Sequence, residues 1–194
     1  MRLGGPPVQT RPRWVFAYGS LMWNPGFATP ETKPARLQGW HRALCIYSEH
    51  YRGTPKQPGL ILGLLPGGAC RGLAHRLPSR DYEAVRHYLL EREIHNDGVY
   101  QEAVRSIHLA DGRVVPALVY LADRRHRQFA GKLPRAKALA LVRDARGATG
   151  SNLAYLENTV AHLVELGLRD PALESLAHAT LVNAASRRRR RSRA

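Results

Sequence analysis

The order of strand-like and helical segments most constrains what this chain can fold into. Runs rich in aromatic and β-branched residues dominate the first two-thirds of the chain, and helical patterns dominate the last third. Strands that precede helices, instead of alternating with them, are typical of a sheet with helices packed against it. The sequence therefore predicts an α+β fold, a small mixed β-sheet or barrel with flanking helices.

The strand-like runs are separated by recognisable turn signals. Residues 51–59 and Pro66-Gly67-Gly68 are turn-prone, and Asp111-Gly112 is a strong hairpin signal. We predict strands at residues 14–18, 37–47, 60–65, 71–77, 99–109 and 113–121.

Helix boundaries are indicated by capping residues. Ser79 and Ser151 are good N-cap residues, Pro134 suits a first helical turn, and Asp170-Pro171 opens the last helix. We predict helices at residues 79–94, 134–146 and 151–167 and a further one from residue 171.

The length and composition favour a single domain. A chain of 194 residues with 44% hydrophobic content suffices for one sizeable core and is short for two. We predict one domain over residues 13–180, between a flexible Gly- and Pro-rich leader, residues 1–12, and a basic tail, residues 181–194. No segment approaches bilayer-spanning length, and the first residues lack the apolar run of a secretory signal. We therefore expect a soluble, cytoplasmic protein without membrane contact.

The net charge of +15 is high, and six positive charges lie at residues 187–191 and Arg193. A short arginine run of this kind is usually disordered and binds phosphate backbones and anionic surfaces without specificity. The tail is thus expected to make nonspecific polyanion contacts.

Neither the cysteines nor the histidines form a metal motif. Cys45 and Cys70 lack the spacing of zinc or redox sites, and we predict that both are buried, reduced thiols. His87, Glu91 and His95 recur at helical spacing but do not form an H-E-x-x-H pattern. We predict no metal site.

A candidate functional loop follows the first predicted strand, at Tyr18-Gly19-Ser20-Leu21. Glycine lets a backbone approach a ligand closely, so that successive N–H groups can converge on an oxygen or a carboxylate. The loop is a candidate anion or oxyanion cradle, although Gly-Ser after a strand is more often an ordinary turn. Ser20 is a poor candidate nucleophile, because the chain has no G-x-S-x-G elbow and no identifiable base.

A second candidate lies near the end of the predicted helix 79–94. At ~100° per residue, Glu93 falls on the edge of the apolar face, whereas Glu91 points almost oppositely. Desolvation and the negative end of the helix dipole would both raise the pKa of Glu93 and make it a better proton acceptor. The alternative is a plain structural role, either an ion pair with Arg92 that would hold Glu93 ionised or fraying of the helix end.

These residues belong to a recognisable set. Residues 15–25, Val-Phe-Ala-Tyr-Gly-Ser-Leu-Met-Trp-Asn-Pro, closely resemble the opening of ChaC-type γ-glutamylcyclotransferases. Further matches follow in family order over about residues 14–178: Gly39-Trp40-His41-Arg42 and Cys45, Arg52-Gly53-Thr54 and Pro58-Gly59, Arg92-Glu93, Gly150-Ser151-Asn152, and Tyr155-Leu156. One departure is the segment at residues 94–97 before Gly98-Val99-Tyr100, which looks longer than in the family.

The resemblance implies a γ-glutamylcyclotransferase-like fold and a cofactor-independent reaction. The implied substrate is reduced glutathione, whose γ-glutamyl group is cyclised to release 5-oxoproline and L-cysteinylglycine. The implied general acid/base is Glu93. The implied substrate-binding residues are Ala17, Tyr18, Gly19, Ser20, Leu21 and Met22 at the loop, with Arg52 and Tyr155 at the pocket wall or the glycyl carboxylate.

Two other functions are considered beside this one. The first is a γ-glutamylcyclotransferase that acts on other γ-glutamyl amides or dipeptides. The second, from a different class, is a basic protein that binds nucleic acid or an anionic surface, although the arginine tail specifies no groove-reading element. Of the arginines in the strand region, Arg36, Arg42 and Arg52 are expected to be mostly solvated, with one of them suited to a substrate carboxylate.

Overall fold

In the computed structural model, which describes residues 11–95 and 98–191, the strand-forming runs pair into a closed barrel. Its strands are β1 (Trp14–Ala17), β2 (Thr32–Ser48), β3 (Gly59–Arg76), β4 (Tyr100–Leu109) and β5 (Val114–Ala122). Neighbours follow the order β1-β3-β2-β4-β5, and β1 closes the barrel by pairing parallel to β5. The predicted α+β fold with a small mixed barrel is confirmed.

The first strand occupies the most buried position in the barrel. All its residues are buried, because β1 lies between β3 and β5 and is covered on both faces. Its continuous apolar sequence, Trp-Val-Phe-Ala, matches that position. The end of β1 is therefore a rigid starting point for the loop that follows.

One continuous strand, β3, replaces the two strands expected at residues 60–65 and 71–77. The predicted break is a β-bulge, in which Gly67 and Gly68 lie opposite the single Gly39 of β2. All three glycines have positive φ, at 100°, 66° and 83°, a conformation that glycine adopts without strain. The two-strand prediction is wrong because pairing with β2 on both sides of the bulge carries the strand through it.

The described residues also form four α-helices and one short hairpin. They are α1 (Tyr82–Leu90), α2 (Arg135–Asp144), β6 (Arg146–Gly147), β7 (Gly150–Ser151), α3 (Asn152–Glu165) and α4 (Pro171–Arg191). Ser151 caps α3 as predicted, because its Oγ accepts a hydrogen bond from the backbone N–H of Ala154 at 3.2 Å. The hairpin at residues 146–151 was not anticipated.

The first helix differs from the prediction at both ends. Its N-cap is Asp81 rather than Ser79, and the Ser79 hydroxyl accepts a hydrogen bond from Arg13. After Leu90 the chain continues as a π-helical turn, Glu91–His95. Such turns are rare and occur frequently at functional sites, because the extra residue per turn redirects the side chains that follow.

The ends of the chain only partly overlap the described residues. Residues 1–10 of the expected leader and residues 192–194 of the expected tail lie outside them, as do residues 96 and 97 of the segment that looked longer than in the family. The α4 backbone stays helical through Arg191, whereas the composition of this run favoured disorder. Within the described residues, no helix combines the length and apolar character needed to cross a bilayer.

Arg42 contradicts the expectation that it is solvated. It is 8% exposed, and its Nη1 donates a hydrogen bond to Asp170 Oδ2 at 3.0 Å. Nε donates to the carbonyl oxygen of Tyr18 at 2.6 Å, and Nη2 donates to that of Arg71 at 2.7 Å. This buried arginine ties the end of β1 to β3 and to the start of α4.

Candidate active site

The loop after β1 forms a single 3₁₀ turn, Ser20–Met22, with Gly19 as its N-cap. The N–H of Met22 donates to the carbonyl oxygen of Gly19 at 2.9 Å. The first N–H groups of a helical turn have no intrahelical acceptor, and here they belong to Ser20 and Leu21. The loop therefore presents adjacent donors, as the cradle prediction requires.

Gly19 has space beside it that the fold does not fill. A Cβ atom at this position would lie 3.7 Å from the nearest atom, Leu62 Cδ1, which is ordinary van der Waals contact. Its φ of −135° lies outside the left-handed region. The missing side chain thus leaves room for about a methyl group beside the backbone, where a ligand can approach it.

The loop is anchored on its protein side by a buried histidine. His75 lies 3.0 Å from the carbonyl oxygen of Leu21 through Nε2 and 3.0 Å from Thr32 Oγ1 through Nδ1. Burial lowers the pKa of His75, so the ring is neutral. A neutral ring satisfies both contacts when Nε2 carries the proton and Nδ1 accepts from the threonine hydroxyl.

Glu93 lies in the π-helical turn, and its side chain is 17% exposed. Burial raises the pKa of the Glu93 carboxyl, and the guanidinium of Arg92 opposes this increase. Arg92 Nε is 3.2 Å from Glu93 Oε1, so the ion pair considered as an alternative does form. Glu93 lines a cavity although it forms this ion pair, and the net effect of burial and Arg92 is a raised pKa of the Glu93 carboxyl.

A small inner cavity of about 60 Å³ joins the loop to Glu93. It is lined by Tyr18, Gly19, Ser20, Leu21, Leu62, Glu93, Tyr100, Tyr120 and Tyr155. The hydroxyls of its tyrosines are fixed: that of Tyr18 donates to the Tyr120 carbonyl oxygen at 2.8 Å, and that of Tyr100 donates to the Leu62 carbonyl oxygen at 2.6 Å. The cavity therefore has rigid aromatic walls and one ionisable carboxyl group.

An outer cleft of about 560 Å³ continues from this cavity and shares Ser20, Glu93, Tyr100 and Tyr155 with it. Its volume lies within the range of about 300–1,000 Å³ that small-molecule sites occupy. Arg52 lines the cleft, with its guanidinium carbon 5.3 Å from the centre of the Tyr155 ring. Arg52 Nη1 donates to the carbonyl oxygen of Thr149, another residue of the cleft lining, at 2.8 Å.

Helix α3 positions Tyr155 through a side chain further back in the core. Asn152 is fully buried, and its amide exchanges two hydrogen bonds of 2.7 Å with the backbone of Leu60 in β3. One turn later, the Tyr155 hydroxyl accepts from the N–H of Leu62 at 3.2 Å. These contacts fix α3 against the strand that lines the cavity.

Known proteins of one family share this sequence and fold. The sequence pattern of the ChaC-like protein family matches residues 13–183. The chain is 40% identical over 166 residues to the glutathione-specific gamma-glutamylcyclotransferase of Escherichia coli K12, covering 85% of this chain and 71% of that protein. The chain belongs to the ChaC-like family. It is also 30% identical over 162 residues to the glutathione-specific gamma-glutamylcyclotransferase of Schizosaccharomyces pombe, covering 74% of this chain and 78% of that protein.

The fold of this ChaC-like chain is also found in a solved structure. The crystal structure of a yeast gamma-glutamyl cyclotransferase specific to glutathione matches with a TM-score of 0.77 over 89% of this chain and 99% of that chain. The two sequences are 22% identical, so the likeness concerns the fold. The γ-glutamylcyclotransferase-like fold implied by the sequence is confirmed.

The structure brings most of the expected site residues of the ChaC-like chain together. Tyr18, Gly19, Ser20, Leu21, Glu93 and Tyr155 line the inner cavity, and Arg52 lines the outer cleft. Ala17 and Met22 lie outside both linings, buried in the core at 0% and 4% exposure. The Met22 N–H donates to the carbonyl oxygen of Gly19 within the loop.

Sequence reasoning missed part of the wall. Leu62, Tyr100 and Tyr120 line the inner cavity from three strands. Strand periodicity says which residues share a face, but the closure of the barrel decides which faces meet. Tyr100 follows the segment that looks longer than in the family, so the family pattern does not single it out.

Other chemistries find little support at this site. Ser20 Oγ accepts a hydrogen bond from Arg92 Nη2 at 2.9 Å, and a guanidinium cannot serve as the base that a serine nucleophile needs. Among the described residues, no group of three or more His, Cys, Asp or Glu side chains is arranged to hold a metal ion.

Proposed function

We propose that the chain degrades reduced glutathione by cyclising its γ-glutamyl group, without a cofactor. The observation that carries the proposal is that Glu93, with its raised pKa, lines the same small cavity as the loop N–H donors in a ChaC-like chain. A carboxyl group with a raised pKa exchanges protons efficiently near neutral pH. Preorganised N–H donors stabilise the negative oxygen of a tetrahedral intermediate.

The proposed reaction is intramolecular. The α-amine of the γ-glutamyl group attacks its own γ-carbonyl carbon, and the new C–N bond closes the five-membered ring of 5-oxoproline. Glu93 takes a proton from this amine, whose ordinary pKa is about 7.7–8.0, and gives one to the cysteinyl nitrogen as the old C–N bond breaks. The carboxyl group ends in its starting state and L-cysteinylglycine leaves. Alignment of the reacting groups can contribute about 7–11 kcal/mol.

The charges of the two cavities suit this substrate. Glutathione carries one ammonium group and two carboxylates. We assign the amine to Glu93, and the α-carboxylate or the developing oxyanion to the N–H groups of Ser20 and Leu21. We assign the glycyl carboxylate to Arg52 in the outer cleft, with Tyr155 supporting the guanidinium from below.

The first experiment measures release of 5-oxoproline and L-cysteinylglycine from glutathione by the wild type and by Glu93→Gln. Gln keeps the size of the side chain but cannot exchange a proton, so we expect kcat to fall by about 10²–10⁴-fold. Glu91→Gln is the matched control, because Glu91 lies in the same π-helical turn with an exposed side chain. A folded Glu93→Gln variant with wild-type turnover would refute the assigned role.

The second experiment separates glutathione from other γ-glutamyl substrates. Arg52→Gln removes the cation of the outer cleft, and we expect kcat/KM for glutathione to fall by about 10–100-fold, the value of a charged hydrogen bond. Glutathione amidated at its glycyl carboxylate should be a poor substrate for the wild type and lose little more in the variant. Equal wild-type activity on both substrates would contradict the Arg52 assignment and favour a broader γ-glutamyl specificity.

We assign the nonspecific polyanion contact to the arginines at residues 187–191 and Arg193. A chain that ends at residue 186 should cyclise glutathione at the wild-type rate and elute from heparin at lower salt. Loss of activity on truncation would contradict the assignment of catalysis and polyanion binding to separate parts of the chain. A cytoplasmic location is also proposed, since Cys45 and Cys70 are free thiols, as expected in a reducing compartment.

A further inference from the structure

We infer that Arg92 is a positioning residue that fixes the loop at residues 20–25 against Glu93, an inference that rests on the proposed function. Arg92 Nη2 donates to Ser20 Oγ at 2.9 Å, and Nη1 donates to the carbonyl oxygen of Asn24 at 2.7 Å. On the other side, Nε is 3.2 Å from Glu93 Oε1. One side chain, which lines the outer cleft, therefore joins the acid/base group to the loop.

The guanidinium group of Arg92 has little capacity left for a substrate. It offers five N–H donors, and Nη1 also donates to Tyr88 Oη at 2.8 Å. The contacts with Ser20, Asn24, Tyr88 and Glu93 thus engage four of the five donors. A fork that binds a substrate carboxylate needs two parallel donors. The Arg92 guanidinium therefore connects the loop at residues 20–25 to Tyr88 and Glu93 instead of binding a substrate.

Such a tie matters because the two halves of the site come from separate elements. The loop follows β1, whereas Glu93 follows α1. Gly26, the residue after the loop, packs directly on Tyr88: a Cβ at Gly26 would lie 1.9 Å from Tyr88 Oη, and Gly26 has a φ of 79°. A misplacement of about 1 Å between reacting groups can cost about 100-fold in rate.

Arg92 also acts on the charge of Glu93. Burial raises the pKa of the Glu93 carboxyl, and the Arg92 guanidinium opposes that rise. Among the described residues that line the two cavities, the other titratable groups are five phenols and, besides Arg92, one guanidinium. They are Tyr18 of the loop, Tyr100 of β4, Tyr120 of β5 and Tyr155 of α3, with Tyr51 and Arg52 in the outer cleft. Burial raises the pKa of the phenols of Tyr18, Tyr100, Tyr120 and Tyr155, so these four stay neutral at the pH of the assay.

The test compares Arg92→Lys with Arg92→Gln. Lys keeps the positive charge but lacks the planar fork, whereas Gln lacks the charge as well. Arg143→Lys and Arg143→Gln are matched controls, because Arg143 pairs with its sequence neighbour Asp144 (Nε to Oδ1, 2.6 Å) and is 19% exposed against 20% for Arg92. The readouts are kcat and KM with glutathione across pH, and hydrogen exchange of the backbone N–H groups at residues 20–25.

We expect both Arg92 variants to lose about 100-fold in kcat/KM and to exchange faster at residues 20–25. The acid limb of the pH profile should move to higher pH in Arg92→Gln alone, because Glu93 then loses the cation that favours its ionised form. Tyr88→Phe removes one acceptor of Arg92 and should give a smaller loss in the same direction.

Two results would overturn the inference. Wild-type kcat/KM and loop exchange in Arg92→Lys would exclude the positioning role. An acid limb unmoved in Arg92→Gln, with losses no larger than those of Arg143→Gln, would leave only a structural ion pair. A wild-type chain that is inert towards glutathione would refute the proposed function instead, and loop exchange would still decide whether Arg92 holds the loop.

Discussion

Replacing Arg42 by methionine tests whether the buried ion pair of Arg42 and Asp170 stabilises the fold and the loop after β1. Methionine keeps most of the apolar stem but removes three hydrogen bonds, those to Asp170, to the Tyr18 carbonyl oxygen and to the Arg71 carbonyl oxygen. Breaking a buried pair on one side costs about 3–5 kcal/mol, because the remaining charge is left without its partner. Asp170, 14% exposed at its side chain, retains a hydrogen bond from the N–H of Leu173. We therefore expect the lower end, about 3 kcal/mol.

The free energy of unfolding can be measured by urea denaturation and by thermal melting. A loss of about 3 kcal/mol corresponds to a fall in Tm of roughly 6–12 °C for a chain of this size. Arg36→Met is the control on the same strand, since Arg36 is exposed, and it should stay within about 0.5 kcal/mol of the wild type. KM for glutathione should rise in Arg42→Met alone, because the Tyr18 carbonyl oxygen at the start of the loop loses its donor.

The reasoning would be refuted if Arg42→Met lost less than about 1 kcal/mol, or if Arg36→Met lost as much. A second check uses Asp170→Asn, which removes the partner charge. The double variant Arg42→Met/Asp170→Asn should lose less than the sum of the single losses, because neither charge is then left alone. Additive losses would show that the ion pair itself contributes little.

Two further predictions concern groups whose burial changes their protonation. Burial raises the pKa of Glu93, so the native chain binds this proton more tightly than the unfolded chain, and stability is lost as pH rises through and above the ordinary glutamate pKa of about 4.3. The Tm of Glu93→Gln should therefore equal that of the wild type near pH 4 and exceed it at neutral pH. An equal Tm of the two proteins at every pH would contradict this. Burial raises the pKa of Cys45 to about 12 and of Cys70 to about 11, so a thiol reagent at about pH 8 should label both only after unfolding. Rapid labelling of the native chain would contradict their placement.

Local sequence signals predicted the elements that depend on neighbouring residues. The Asp111-Gly112 turn, the Ser151 cap and the start of α4 at Pro171 all occur as expected, since each depends on backbone preferences within a few residues. Glu93 was separated from Glu91 by helical angle alone, and the structure places it at the cavity. The π-helical turn that contains Glu93 could not be predicted, because such turns have no simple sequence pattern.

The sequence by itself determined the α+β order of elements and the glycine-containing loop after a buried strand, and it predicted Glu93 as the carboxyl group for the proposed proton transfer. Tertiary structure alone decided that β3 runs through its bulge, that Arg42 is buried and that Arg92 contacts both the loop and Glu93. The physical reason is the distance along the chain between the residues that interact. Turns and caps are chosen by local backbone energies, whereas a buried guanidinium is stable only where carbonyl and carboxylate oxygens from distant segments converge on it.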